Sequence, residues 1–123
     1  MQDGHRPLVA VVDDDEAVRE SLRFLLEIAG YDVAAFASGC AFLRADGARV
    51  PACLLVDQHM PQLTGLELLR RLRSAGRNLP VALMTGSPSA ELTRQAQALG
   101  ATDVLEKPLA EDVLFRFVEQ SVA

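Results

Sequence analysis

Apolar and polar positions fall into repeating blocks along the chain. A short apolar run is followed by a stretch in which apolar residues recur every three or four positions, and the pair repeats five times. The runs predict strands at Leu8–Val12, Asp32–Phe36, Ala52–Val56, Pro80–Met84 and Thr102–Leu105. Most are continuously apolar, as strands are when both faces of a parallel sheet are covered. The stretches between them predict helices. The first covers about Glu16 to Ala29, where Val18, Leu22, Leu25, Leu26 and Ala29 make an apolar stripe that Ala17, Ser21, Phe24 and Ile28 widen. Glu16, Arg19, Glu20, Arg23 and Glu27 take the opposite face, with Arg23 and Glu27 at i,i+4 spacing. Gly30 supplies the stop.

The second helix is short, about Gly39 to Arg44. The third opens at TGLE, a capping box with Thr64 as N-cap and Glu67 three positions on, and ends near Gly76. The fourth follows Ser87, with Pro88 suited to a first helical position, and ends at Gly100. The fifth runs from about Leu109 to Ser121, with Val113, Leu114, Phe117 and Val118 inward and Phe115 one position off that stripe. Residues 1–7 read as a polar tail and 8–121 as one domain. Five β-then-α units predict an α/β fold, a three-layer α/β/α sandwich. Right-handed crossovers favour an open five-stranded parallel sheet, here of order 2-1-3-4-5.

Composition narrows the reading without choosing a function. The chain has 123 residues, half of them hydrophobic and 24% charged, which suits one globular domain rather than a disordered segment. The net charge of −5 gives no electrostatic reason for this segment to bind nucleic acid directly. Cys40 and Cys53 lie in apolar contexts with no CxxC or Cys/His cluster, and read as small core residues in a reducing compartment. The first residues, MQDGHRP, lack a signal-peptide core, and no apolar run reaches the ~18 residues of a membrane span. A cytoplasmic protein without membrane contact is expected.

The chemistry is concentrated where strands end. In open parallel sheets, ligands bind beyond the carboxyl ends of the strands, where strand order reverses. The first strand ends in Asp13 and Asp14, the third in Asp57, the fourth in Thr85 and the fifth in Glu106 and Lys107. Asp15 is accounted for as a helix N-cap. Adjacent first and third strands would bring Asp13, Asp14 and Asp57 together. Two carboxylates ~4 Å apart repel by about 4 kcal/mol at an effective dielectric near 20. A divalent cation resolves that repulsion. Mg²⁺ prefers oxygen ligands and keeps several waters, and it can clamp a phosphoryl group. One aspartate would then act as nucleophile, giving an aspartyl phosphate, while Lys107 and Thr85 hold the transferred oxygens.

VVDDD, LLVDQHMPQLTGLELL, VALMTGS and LEKP together resemble the receiver domain of two-component response regulators, over about Leu8 to Ser121. The resemblance implies a flavodoxin-like receiver fold. It implies that Asp57 is the phosphoacceptor, served by the histidine of a sensor kinase or by a phosphotransfer protein. Asp13 and Asp14 match the metal-binding acidic pair, with Asp57 and the backbone carbonyl of His59 as further ligands to Mg²⁺, for which Mn²⁺ can substitute. Thr85 would bond the phosphoryl group and move with it, Lys107 would pair with a phosphoryl oxygen, and Pro108 would follow a cis peptide. Self-phosphorylation and slow self-dephosphorylation are the only reactions implied. The face of the fourth helix, fifth strand and fifth helix is the family's usual interaction surface and a possible homodimer contact.

Two positions depart from the family pattern. Val104 stands where an aromatic residue often rotates as the threonine moves, and Leu109 where phenylalanine often follows the Lys-Pro pair. His59 and Ser87 occupy positions that modulate dephosphorylation in the family, so the His59 ring is expected to tune the phosphoryl lifetime. Arg70, Arg71 and Arg73 read as a solvated basic face on the third helix. Three other functions meet objections. A phosphohydrolase with an aspartate nucleophile would carry DxDx[TV], but Gln58 and His59 follow Asp57. A flavin carrier would need a hydroxyl- and glycine-rich phosphate loop where DDDEA stands. A degenerate docking module would not need the intact Asp13, Asp14, Asp57, Thr85 and Lys107.

Overall fold

A computed structural model describes residues 6–45 and 49–123. Most of the expected N-terminal tail, residues 1–5, lies outside the described residues. Five strands and five helices alternate: β1 (Leu8–Val12), α1 (Glu16–Ile28), β2 (Asp32–Phe36), α2 (Gly39–Arg44), β3 (Cys53–Asp57), α3 (Gly65–Ser74), β4 (Val81–Thr85), α4 (Ala90–Ala98), β5 (Asp103–Glu106) and α5 (Glu111–Val122). The strands form one parallel sheet of order β2-β1-β3-β4-β5. The predicted architecture and strand order are therefore observed.

The side-chain alternation of the strands divides the core into two layers. Ala10, Val12, Leu54, Val56, Val81 and Leu83 face α2, α3 and α4, where Phe42, Leu69, Leu72, Leu92 and Ala96 cover them. Val9, Val11, Cys53, Leu55, Ala82, Met84 and Leu105 face α1 and α5, under Leu22, Leu26, Leu114, Phe117 and Val118. Cys53 is fully buried and Cys40 packs against the first layer; both are free. Phe115 is half-buried against the second layer rather than free on the surface.

The helix ends follow from local chemistry. Asp15 caps α1, its carboxylate accepting from the Ala17 N–H at 2.9 Å. Thr64 and Glu67 form the reciprocal capping box of α3. Gly30 ends α1 and Gly100 ends α4 with φ of 102° and 76°, a region glycine enters without a Cβ penalty. The fourth helix corrects an expectation: Pro88 is not its first residue. Ser89 caps it, accepting from the Leu92 N–H at 3.1 Å, so the helix starts at Ala90. The fifth likewise starts at Glu111, two residues later than predicted, with Glu111 and Asp112 favouring its N-terminus.

Three strands end one residue beyond their last apolar position. Asp57 pairs with Met84, and Thr85 with Glu106, inside the ladder. Backbone pairing does not depend on side-chain polarity, so periodicity stopped these strands too early. The consequence is that Asp57 and Thr85 are held by strand backbone rather than by loops.

On α1 the buried line is narrower than predicted. Leu22 and Leu26 are buried, whereas Phe24 and Ile28 are 62% and 70% exposed. At 100° per residue Phe24 lies about 160° around the helix from Leu22, beyond reach of the sheet. Arg19 and Arg23 occupy the other flank, where they turn back to the sheet. They donate to the carbonyls of Asp13 at 2.7 Å and Val33 at 3.2 Å, although helical spacing places them opposite the apolar stripe.

Candidate functional site

The sheet delivers the polar residues to one edge. Asp13 directly follows β1 and stays in its register, its N–H donating to the Phe36 carbonyl at 3.1 Å. Asp57 ends β3 and Thr85 ends β4. Lys107 follows β5, and its N–H donates to the Thr85 carbonyl at 2.8 Å. All four side chains thus issue from the carboxyl ends of neighbouring strands. Asp13, Asp57 and Thr85 are the buried polar residues of the described chain.

Carboxylate oxygens of Asp13, Asp14 and Asp57 lie within 4.8 Å of one another. Asp13 and Asp57 are buried, while Asp14 opens to solvent. The Lys107 ammonium stands between the two buried acids, 3.1 Å from Asp13 and 3.5 Å from Asp57. Asp13 also accepts from the Asp15 N–H at 2.9 Å. The surroundings of Asp57 disfavour its charged form. Burial, then the charge of Asp13, push its pKa upward, and Lys107 with the His59 N–H only partly oppose them. For Lys107, burial acts against the charged form. The hydrogen bond and charge of Asp13, with those of Asp57, outweigh it, and its pKa moves up.

Thr85 lies at the rim of this cluster. Its Oγ1 accepts from the Ser87 N–H at 3.0 Å and lies 3.0 Å from His59 Nε2. The His59 ring is exposed at the start of the β3–α3 connection. Lys107–Pro108 is a cis peptide. Val104 packs its side chain into the α2/α3/α4 layer. Every candidate site residue expected from the sequence, Asp13, Asp14, Asp57, His59, Thr85 and Lys107, therefore converges on one edge.

Several supports had not been anticipated. Gln58 Oε1 accepts the Leu66 N–H at 2.8 Å and so fastens the β3–α3 connection to the start of α3. Gly65 packs against the same connection: a Cβ there would stand 2.8 Å from the Asp57 carbonyl oxygen. Arg73 is not part of a solvated basic face. Its guanidinium donates to the carbonyls of Arg77, Leu79, Leu99 and Gly100 at 2.8–3.0 Å, tying α3 to the end of α4. Arg70 and Arg71 are exposed as expected. A polar residue following an apolar run was the signal for the site; no comparable sequence signal marks these supports.

A family model described as the response regulator receiver domain matches residues 9–119. The chain belongs to this family. As a receiver it is a module of two-component signalling. It is 43% identical over 114 residues to the transcriptional regulatory protein FixJ of Azorhizobium caulinodans, covering 93% of this chain and 54% of that protein. It is 42% identical over 109 residues to the response regulator MprA of Mycobacterium ulcerans, covering 88% and 47%. The receiver thus spans about half the length of the curated relatives it matches. A crystal structure of FixJ-N superposes with a TM-score of 0.84 at 37% identity, covering 98% of this chain and 94% of that one. Full-length FixJ from B. japonicum gives 0.85 at 39% identity, covering 96% and 58%. Among the described residues, no helix is long and apolar enough to cross a membrane.

Proposed function

We propose that Asp57 of this receiver is the phosphoacceptor and takes a phosphoryl group from a phosphohistidine of a sensor histidine kinase or phosphotransfer protein. The observation that carries this reading is the convergence of a buried carboxylate pair, an ammonium and a buried hydroxyl on one strand edge. In the transfer, an Asp57 carboxylate oxygen attacks phosphorus. The P–O bond forms as the P–N bond breaks, and the electron pair of that bond returns to the donor imidazole. Lys107 is close enough to exchange part of its contact with Asp13 and Asp57 for a phosphoryl oxygen. The Thr85 hydroxyl, one strand over, supplies a hydrogen bond to another.

The donor set also fits a hard divalent cation. Three carboxylates within 4.8 Å are all-oxygen donors, and one opens to solvent, which suits a cation that keeps several waters. Asp13, Asp14, Asp57 and the backbone carbonyl of His59 would hold Mg²⁺ or Mn²⁺. When bound, the cation supplies positive charge to the acidic cluster and to a phosphoryl oxygen.

The functional unit is residues 8–121, acting as a cytoplasmic phosphoacceptor that switches a partner or output surface. Its own chemistry is limited to self-phosphorylation from small donors and slow self-dephosphorylation. The face of α4, β5 and α5 is the proposed output surface and homodimer contact. With a net charge of −5 the segment has no electrostatic drive to bind nucleic acid directly. Intact mass after incubation with acetyl phosphate tests the reading, with and without Mg²⁺, on wild type and Asp57→Asn. A gain of one phosphoryl group that needs both Mg²⁺ and Asp57 is expected. No gain in folded wild-type protein refutes it.

A further inference from the structure

The Thr85 hydroxyl has one proton and two lone pairs to place, and it is fully buried. The Ser87 N–H occupies one lone pair. Among the described residues, the one other polar atom hydrogen-bonded to Oγ1 is His59 Nε2, at 3.0 Å. A buried hydroxyl proton without an acceptor is unfavourable, so the proton points at Nε2. The ring then carries its own proton on Nδ1.

We infer that His59 is a positioning residue that holds the Thr85 proton in the unphosphorylated domain and loses it to the phosphoryl group. This rests on the reading of Asp57 as phosphoacceptor. A phosphoryl oxygen on Asp57 offers the hydroxyl a charged acceptor, and charged acceptors make the stronger bonds. One proton cannot serve both. Phosphorylation of Asp57 and the His59–Thr85 hydrogen bond therefore exclude each other, and transfer sets the exposed ring free.

Val104 has no ring to rotate as the threonine moves, and its side chain is partly buried against the core layer. His59 is exposed, polar and directly bonded to Thr85, on the connection between β3 and α3. The state of the acceptor is thus displayed at the cleft mouth by a released imidazole.

The wild-type protein provides the first test, by ¹⁵N correlation spectra of the His59 ring with Mg²⁺, before and after acetyl phosphate. The Nδ1–H tautomer is expected before phosphorylation, shifting after it toward the mixture of an exposed imidazole. Rates of phosphorylation by acetyl phosphate provide the second. His59→Ala removes the competing acceptor and should raise the rate about two- to tenfold, the worth of one neutral hydrogen bond. His59→Gln, whose amide oxygen can accept the same proton, should return it toward wild type. In a Thr85→Val background, His59→Ala should change nothing. An unchanged ring spectrum in phosphorylated protein overturns the inference, as does a His59→Ala effect that persists without the Thr85 hydroxyl. A wild type that takes no phosphoryl group overturns the phosphoacceptor reading itself, and this inference with it.

Discussion

Asp13 and Asp57 share one ammonium, yet their substitution by asparagine should move stability in opposite directions. Consider protein freed of divalent cations with EDTA. At an effective dielectric of about 20, like charges within 4.8 Å of each other repel by about 3.5 kcal/mol or more. At the same dielectric, Lys107 attracts Asp57 across 3.5 Å by about 4.7 kcal/mol. Water screens the exposed Asp14, and Lys107 lies closer to Asp13 than to Asp57. The charge terms on Asp57 therefore nearly cancel, and loss of hydration decides the sign. That loss is also the largest cause of its raised pKa. Asp57→Asn should stabilise the domain by about 1–2 kcal/mol. For a domain of this size that is a rise of about 4–8 °C in Tm. Asp13→Asn removes the nearer partner of Lys107 and weakens the acceptor of the Asp15 N–H. It should destabilise by about 1–2 kcal/mol. The pH dependence carries the same sign. A carboxyl whose folded pKa lies above its unfolded value binds protons preferentially in the folded state. The Asp57 contribution to wild-type stability should therefore grow as pH falls from neutrality toward its folded pKa, and Asp57→Asn should abolish that growth. Thermal melts of the three proteins across that window are the assay. Destabilisation by Asp57→Asn, or the same sign for both substitutions, would refute the reasoning.

Four further outcomes are expected. Mg²⁺ at a hundred times its Kd should stabilise the wild type by about 2.7 kcal/mol, and Asp14→Asn, at an exposed position, should remove most of that gain in urea titrations. Arg73→Ala breaks four carbonyl contacts and should cost about 2–3 kcal/mol in the same titrations, with Arg73→Lys failing to restore it because an ammonium cannot span them. Gly65→Ala forces the Asp57 carbonyl aside; melts should show a loss of about 1–3 kcal/mol, and phosphorylation by acetyl phosphate should slow. Burial pushes the Cys53 thiol up to about 12, so mass spectrometry should find it unalkylated by iodoacetamide at pH 8 until the protein is unfolded.

Local chemistry carried much of the fold. Apolar runs located all five strands, and the ends of β1 and β2 matched; β1 stops where its apolar run meets Asp13. The Asp15 cap, the Thr64–Glu67 box and the glycine stops were legible because each is satisfied within a few residues of backbone. The acidic residues were legible for the opposite reason: the local bond from the Asp15 N–H to Asp13 does not account for carboxylates at the ends of two neighbouring apolar strands. The misreadings share a cause as well. The exposure of Phe24 and Ile28 depends on how much of α1 the sheet can cover, which helical spacing does not state. Arg73 resembles any surface arginine until α3 and α4 end side by side and offer it carbonyls up to 27 residues away. The His59–Thr85 bond spans 26 residues and the Lys107–Asp13 pair 94. Periodicity and capping act along the chain, over distances of one helical turn. Which strand ends become neighbours is decided by the order β2-β1-β3-β4-β5, and only that packing gives Lys107 two carboxylates and Thr85 an imidazole.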